Sequence, residues 1–175
     1  MSGPASLRLA TATDIPALHR LIERSVRGLS TGFYSPAQIE NALTHVFGPD
    51  TQLIADGTYF VIPAPGGLAA AGGWSKRRTL YGGDQTKRGD DPLLDPASEP
   101  ARIRAFFVDP DWARRGLGRQ LYQHCAEAAA QAGFTELELM ATLPGVPLYH
   151  ALGFVERERT TATDGLPVVR MRRPI

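Results

Sequence analysis

The sequence predicts a mixed α/β fold of the α+β type, in which a mostly antiparallel sheet of about seven strands is flanked by about four helices. Three observations support this prediction. Short apolar or alternating segments typical of strands recur along the chain, and longer segments with apolar residues at helical spacing lie between them. Residues that favour turns, mainly glycine, proline and aspartate, separate the segments. The length of 175 residues, 43% of them hydrophobic, suits a single domain spanning residues 1–175.

The first half of the chain is predicted to form two helices and three strands. Thr13 and Asp14 are capping residues before the first helix, and Ser35 followed by Pro36 is a start signal for the second. Proline and glycine residues at 65–67 predict a hairpin between the second and third strands. The helices are expected at 15–26 and 36–46, and the strands at 7–9, 59–62 and 68–74.

Residues 76–100 have a different composition, rich in glycine, aspartate, proline and basic residues, without a sustained period. We predict an insert loop within the domain, because the segment is too short to form a second domain. Loops of this length are either functional or disordered, and the sequence does not distinguish these alternatives.

The second half of the chain predicts alternating strands and helices. A buried strand at 103–108 is followed by a turn and by a helix that ends at Gly133. The apolar stripe of this helix is expected to consist of Leu117, Leu121, Cys125, Ala128 and Ala132. Asp164 and Gly165 predict a hairpin between the last two strands. The remaining elements are a strand at 137–141, a short helix at 146–152, and strands at 154–160 and 168–171.

Charge and cysteine content argue against several classes of protein. The 19 basic and 18 acidic residues nearly cancel, so the net charge of +1 predicts binding to neither nucleic acid nor an anionic membrane. Cys125 is the single cysteine, and its place on the helical stripe indicates a buried core thiol rather than a nucleophile. The start of the chain has no secretory signal, so we expect a cytoplasmic protein. Four scattered histidines predict no metal site, and the strand at 168–171 leaves a homodimer open.

The segment 114–119, Arg-Arg-Gly-Leu-Gly-Arg, lies between the strand at 103–108 and the helix that follows. Free N–H groups and the positive end of the helix dipole bind anions at such a position, and glycines let a phosphate approach the main chain. The three arginines add charge-assisted hydrogen bonds. A dinucleotide fingerprint would need a glycine at Leu121, and a Walker loop would need Gly-Lys-Ser or Gly-Lys-Thr. Neither is present, so the segment predicts a phosphate site of another kind.

The order of elements along the whole chain resembles the GNAT superfamily of acetyl-CoA-dependent N-acetyltransferases, and the resemblance is specific from residue 102 to residue 154. The central motif of that family is a hydrophobic residue, four spacers, Arg or Gln, two spacers, and Gly-x-Gly or Gly-x-Ala. It falls on Val108, Ala113, Gly116 and Gly118, with Ala113 as a departure. A second motif, a Tyr four residues before Gly-Phe, falls on Tyr149, Gly153 and Phe154. The Asn that often precedes this Tyr by seven residues is Thr142 here, whose hydroxyl can still bond pantetheine.

This resemblance implies acetyl-CoA as the acyl donor and coenzyme A as the product. The residues it assigns to the cofactor are Phe106, Phe107, Val108, Arg114, Arg115, Gly116, Leu117, Gly118, Arg119 and Thr142. The Val108 N–H, or a neighbouring one, is a candidate oxyanion donor. Tyr149 is the implied catalytic residue, because its hydroxyl would protonate the leaving sulfur.

The acceptor side of the site is less defined. Phe33, Tyr34 and Trp74 are either core aromatics or walls of the acceptor pocket, and we assign them to the pocket. Glu99, His45 and Asp84 remain open as general bases. The implied reaction transfers an acetyl group to a primary amine of a small molecule or protein by direct attack in a ternary complex. The alternatives are a non-catalytic acyl-CoA-binding regulatory module and an enzyme that binds a different phosphate cofactor.

Overall fold

In residues 6–175, seven strands form one sheet in the order β1-β2-β3-β4-β5-β7-β6, and five helices cover its faces. The strands are β1 Arg8–Leu9, β2 Tyr59–Ala64, β3 Gly67–Ser75, β4 Ala101–Val108, β5 Glu136–Thr142, β6 Val155–Thr161 and β7 Pro167–Pro174. The helices are α1 Ile15–Leu29, α2 Pro36–His45, α3 Thr51–Ala55, α4 Leu117–Gln131 and α5 Val146–Ala151. This computed structural model describes residues 6–175, so the segment at 1–4, where we predict no secretory signal, lies outside it.

Neighbouring strands are antiparallel except β4 and β5, which run parallel and are connected through α4. The predicted fold class, a mixed and mostly antiparallel sheet flanked by helices, is confirmed. One helix was not predicted: α3 has five residues, too few to show a helical period in the sequence. Across residues 6–175, no helix combines the length and the apolar character needed to cross a bilayer.

The sheet separates two apolar regions. On one side, which we call the α4 face, α4 and α5 pack on the middle of the sheet, with Leu121 and Cys125 fully buried. On the other side, the α1 face, α1 packs with α2 and α3, and Leu18 and Ile22 are buried there. Burial raises the pKa of the Cys125 thiol above its ordinary value. The thiol is therefore held protonated within the core.

The buried stripe of α4 differs from the predicted one near its C-terminal end. Leu117, Leu121 and Cys125 are buried as expected, but Ala129 rather than Ala128 continues the row. Ala132 is exposed, one residue beyond the end of the helix. The buried row thus keeps to four-residue steps, along which residues drift around a helix of 3.6 residues per turn.

The 76–100 segment is held against the domain by polar contacts. Arg77 forms an ion pair with Asp56 at 2.7 Å. The Gly83 N–H donates to the carbonyl of Val46 at 2.8 Å, and a Cβ on Gly83 would lie only 2.5 Å from the carbonyl oxygen of Gly48. The two main chains are thus in direct contact beside the α2–α3 connection. That the chain is one domain with an insert stays a prediction.

Candidate functional site

The strands β4 and β5 separate soon after they pair, and a cavity opens between them. Their register joins only two positions, Ala101 with Leu137 and Arg102 with Glu138. Beyond these pairs both strands line one cavity of about 830 Å³. It borders the apolar cluster of the α4 face as well as that of the α1 face. The cavity therefore has walls on both faces of the sheet.

A β-bulge at Ala105 bends β4 at the cavity. Ala105 has a φ of +55°, and the register between β3 and β4 shifts beside it. A side chain in this left-handed region costs about 1–2 kcal/mol. The hydroxyl of the fully buried Tyr59 donates to the Ala105 carbonyl at 3.1 Å and stabilises the bulge. Opposite it, Gly72 makes room for the Phe106 ring, because a Cβ there would lie 2.6 Å from ring atoms.

The turn before α4 exposes its main chain to the cavity. Arg114 has a φ of +60° and Gly116 a φ of +81°, and a Cβ on Gly116 would meet nothing within 4 Å. Gly118 lies against α5, since a Cβ there would be 2.9 Å from the Leu148 side chain. Arg119 also lines the cavity. Left-handed backbone, N–H groups of a first helical turn and cationic side chains are features that favour anion binding.

Tyr149 of α5 lines the same cavity. Its ring centroid lies 6.4 Å from that of Phe106 and 5.7 Å from that of Phe154. Burial raises the pKa of its hydroxyl above the ordinary value, and the nearby Cys125 thiol acts in the same direction. Among residues 6–175 no buried side-chain polar atom lacks a partner, and the Tyr149 hydroxyl makes no bond to protein. The hydroxyl therefore reaches the cavity surface as a protonated donor.

Ser25 of α1 contacts the end of β4. Its Oγ accepts a hydrogen bond from the Val108 N–H at 3.3 Å, and both residues line the cavity. The N–H that we predicted as an oxyanion donor is therefore already engaged. The hydroxyl proton of Ser25 is not needed for that bond, so it can be donated toward the cavity. No local pattern in the sequence marks this serine, because its place at the site depends on how α1 packs across the sheet.

Aromatic and apolar side chains line the part of the cavity on the α1 face. We call this part the α1-face half and define it by Phe33, Phe47, Tyr81, Phe107 and Met140. Phe47 and Phe107 form an edge-to-face pair with centroids 6.0 Å apart. Phe33 is 50% exposed at the rim.

Arg104 is a buried cation beside this half. It is 3% exposed and donates to Asp50 at 2.8 Å, to the Gly82 carbonyl at 2.6 Å and to the Thr79 carbonyl at 3.2 Å. Asp50 also accepts from Lys87 at 2.5 Å. Burial lowers the pKa of the guanidinium while Asp50 opposes the shift, and arginine stays charged. The Asp91 carboxylate also acts on Arg104, so two cations and two anions roughly balance in this cluster.

Most of the predicted site residues line this one cavity. They are Phe33, Phe106, Phe107, Val108, Arg114, Gly116, Leu117, Gly118, Arg119, Thr142 and Tyr149. Arg115 is not among them, and its guanidinium lies over the Trp112 ring at 4.9 Å from the centroid. The Phe106 ring lies beside Tyr149 on the α4 face, whereas the Phe107 ring packs against Phe47 on the α1 face. The functional roles of all these residues stay predictions.

Tyr34 and Trp74, which we assigned to the acceptor pocket, lie outside the cavity. The Tyr34 hydroxyl donates to the Pro167 carbonyl at 2.6 Å and accepts from the Leu143 N–H at 2.9 Å. Burial raises its pKa, and the bond from Leu143 partly offsets the shift. Trp74 packs on Phe134 with centroids 6.1 Å apart, within the core of the α4 face. Both side chains match the core-aromatic alternative.

None of the three candidate bases lines the cavity. Glu99 accepts from the Asp95 N–H at 3.0 Å, and Asp84 accepts from the Thr51 N–H at 3.0 Å. His45 is exposed in the last turn of α2. Within the described part of the chain, the residues that line the cavity include no Asp, Glu or His.

The described residues have the fold of the GNAT acetyltransferases, as comparison with known proteins shows. Residues 95–174 match the family model described as acetyltransferase (GNAT) domain. This match covers just under half of the chain, and together with the solved structures described next it agrees with the resemblance to the GNAT superfamily and shows the GNAT fold.

Solved structures share the fold over nearly the whole chain. A GCN5-related N-acetyltransferase from Rhodopseudomonas palustris superposes with a TM-score of 0.72 at 20% identity, covering 100% of this chain and 98% of that one. The PaiA N-acetyltransferase from Thermoplasma acidophilum, in complex with coenzyme A, has a TM-score of 0.68 at 14% identity, covering 97% and 98%.

Among curated proteins, a UPF0039 protein of Schizosaccharomyces pombe is 30% identical over 82 residues, which are 46% of this chain and 55% of that protein. The matched region thus spans about half the length of this relative.

Proposed function

We propose that the protein transfers an acetyl group from acetyl-CoA to a primary amine of a small molecule or protein, by direct attack in a ternary complex. The observation that carries this proposal is the cavity that joins the open turn before α4 to Tyr149 and to the α1-face half. The coenzyme A complex of PaiA N-acetyltransferase, which has the same fold, supports it.

The residues at the start of α4 fit a coenzyme A molecule. The open main chain at Gly116, with Arg114 and Arg119 beside it, suits a pyrophosphate group. The separated edges of β4 and β5, together with Thr142, suit the amide groups of a pantetheine arm. When bound, acetyl-CoA supplies the acetyl thioester. The chain supplies orientation and a place where protons are donated.

In the proposed mechanism Tyr149 donates its proton to the sulfur that leaves. Its raised pKa keeps the hydroxyl protonated at neutral pH. The proposed oxyanion donor is the Ser25 hydroxyl, because the Val108 N–H already donates to Ser25. A donor fixed in this way costs no reorganisation during the reaction, which is why such groups are effective.

Ligand binding tests the cofactor part of the proposal. Thermal unfolding would be followed with coenzyme A, NAD or ATP present, each at the same concentration. We expect only coenzyme A to raise the melting temperature, since a ligand at a hundred times its Kd adds about 2.7 kcal/mol of stability. A larger shift with NAD or ATP would favour the alternative phosphate cofactor.

An acceptor screen tests the transfer itself. Amines, amino acids and peptides would be incubated with acetyl-CoA, and acetylated products detected by their mass. Coenzyme A binding without any acetylated product would favour the regulatory module over the enzyme. We propose a cytoplasmic location, which suits a chain with a single buried cysteine. A homodimer stays a prediction that sedimentation can check.

A further inference from the structure

The α1-face half of the cavity has an unusual balance of groups for a site that receives an amine. Its defining side chains are aromatic or apolar, and no carboxylate or imidazole lines the cavity in residues 6–175. Resting on the proposed acetyl transfer, we infer that the acceptor is a weakly basic amine that binds uncharged and is carried on an aromatic or apolar body. Polyamines and lysine side chains are then poor acceptors.

The described lining of this half offers no charged partner to a cationic acceptor. The only charged side chain of the described α1-face lining is Arg104, and the buried Asp50 is shared by Arg104 and Lys87. Asp91 also acts on Arg104 but does not line the cavity, so the lining itself offers no carboxylate to pair with an ammonium. An ammonium that loses its water there would gain no compensating partner, which is the costly case for a charge.

The aromatic walls favour a flat or apolar acceptor body. Phe47 and Phe107 already form an edge-to-face pair, and Tyr81 and Phe33 extend this surface toward the rim. Cation–π contacts require the cation to lie over a ring face. The Arg104 side chain lines this half and disfavours a second cation beside it, so the walls contribute mainly through apolar burial.

The proton balance of the reaction does not require a base when the amine arrives uncharged. The amine nitrogen forms a bond to the carbonyl carbon, the carbon–sulfur bond breaks, and nitrogen loses one proton while sulfur gains one. Tyr149 can give its proton to sulfur and recover one from nitrogen, directly or through water. An ammonium would first have to lose an additional proton, and the lining offers no carboxylate or imidazole to take it.

Solution ionisation then sets the selectivity. An α-amino group next to a carbonyl has a pKa of about 7.7–8.0, whereas a lysine-type amine has one of about 10.4. At pH 7 the uncharged fraction therefore differs by roughly 300-fold between the two classes. An arylamine, whose lone pair is delocalised into the ring, is uncharged at this pH.

Matched acceptors provide the test. Phenylalaninamide and phenethylamine carry the same aromatic body but differ in amine basicity, and spermidine is a polycation. With the full chain and acetyl-CoA at pH 7, we expect kcat/KM for phenylalaninamide to exceed that for phenethylamine by about 100-fold or more, with spermidine lowest. A preference for spermidine or phenethylamine would overturn the inference.

The pH dependence separates the acceptor from the protein as the group that titrates. For phenethylamine, kcat/KM should rise about tenfold per pH unit from pH 7 to pH 9, while for phenylalaninamide it should level off near the pKa of its own amine. If both profiles level off at one shared pH, a group on the protein acts as base, and the inference fails.

Phe33 allows the charge argument to be checked by substitution. We expect Phe33→Asp, which places a carboxylate at the rim, to raise kcat/KM for spermidine at least tenfold over Phe33→Asn. The two variants differ in charge but hardly in size, so lost packing is common to both. Equal values for the two variants would show that charge does not exclude polyamines.

These outcomes distinguish the inference from the proposed function. If spermidine or peptide lysine is acetylated and no aromatic amine is, the proposed acetyl transfer stands and the inferred class of acceptor is wrong. If coenzyme A binds but no acetylated product forms, the proposed acetyl transfer is wrong, and so is the inferred class of acceptor.

Discussion

Tyr149 and Tyr122 belong to one aromatic cluster, since the ring of each lies within 6 Å of Phe154, but only Tyr149 lines the cavity. We expect Tyr149→Phe to lower turnover by roughly 10²–10⁴, because a positioned acid contributes about that much. The affinity for acetyl-CoA should change little, because the ring and its contacts remain. Steady-state kinetics with titration of acetyl-CoA measure both effects.

Tyr122→Phe is the matched control for this change. It removes a hydroxyl from the same cluster at a residue that does not line the cavity. Turnover should be close to that of the wild type. If Tyr149→Phe behaves like this control, Tyr149 has no part in the mechanism.

The second prediction for a single residue concerns Ser25. Ser25→Ala removes the hydroxyl that accepts from the Val108 N–H, and we expect turnover to fall roughly tenfold. The loss is smaller than for an ordinary oxyanion donor, because the freed Val108 N–H can take its place. Ser30→Ala removes another hydroxyl from the cavity lining, one without a bond to β4, and serves as control. A similar turnover in both variants would argue against the proposed role of Ser25.

Single residues were predictable from the sequence where a local motif fixes their position. Gly116, Gly118 and Tyr149 line the cavity as members of short patterns. Tyr34 and Trp74 were not placed correctly, since an aromatic residue suits a core and a pocket equally well. Their direction depends on distant partners, such as the Pro167 carbonyl for Tyr34, which composition and spacing do not reveal.

At the scale of elements, the buried pair of Arg104 and Asp50 joins β4 to α3 and to the 76–100 segment. We expect Arg104→Met to lower the free energy of unfolding by about 3 kcal/mol, the low end for a broken buried pair, because Lys87 still neutralises Asp50. Urea denaturation measures the loss. The amides of Gly82 and Gly83 should also exchange faster with deuterium.

Arg159→Met provides the comparison for that prediction. Its guanidinium pairs with Glu156 at 2.6 Å, but the side chain is 67% exposed, so water screens the pair. Its loss should leave the free energy of unfolding nearly unchanged. Equal losses in the two variants would mean that Arg104 contributes through its side-chain volume alone.

Elements with a strong local signal were predictable, and the others were not. The start of α2 at Ser35-Pro36 follows from capping residues, and the hairpin before β7 follows from turn residues; both signals act locally. The helix α3 depends instead on Asp50, which caps two of its N–H groups and is itself held by Arg104, a residue more than fifty positions away. The order within the 76–100 segment likewise rests on long-range contacts.

At the scale of the whole molecule, three buried groups couple stability to alkaline pH. Burial raises the pKa values of Cys125, Tyr59 and Tyr149. The unfolded chain loses these protons first, so the folded state has its full stability below the ordinary pKa values and loses it as the pH rises above them. For Cys125 the loss begins near pH 8.5 and reaches about 2 kcal/mol by pH 10. The two tyrosines add to it above about pH 10.

Cys125→Ala tests this coupling. The variant should be less stable than the wild type at pH 8 because of the small cavity it leaves. Between pH 8 and pH 10, however, its free energy of unfolding should fall by about 2 kcal/mol less than that of the wild type. Urea denaturation at both values gives the difference. An identical fall would show that the thiol ionises as easily in the folded protein as in the unfolded chain.

The two register pairs between β4 and β5 also have a mechanical consequence. Because so few residues pair there, the sheet behaves as two smaller sheets, β1–β4 and β5–β7, which α4 connects. A pantetheine arm lying in the gap would act as an additional strand that forms hydrogen bonds to both smaller sheets. Under a pulling force in an optical trap, we expect the free protein to unfold in two steps. The coenzyme A complex should unfold in a single step and at a higher force. The same short pairing that opens the cavity would then make a bound coenzyme A part of the mechanical structure of the protein.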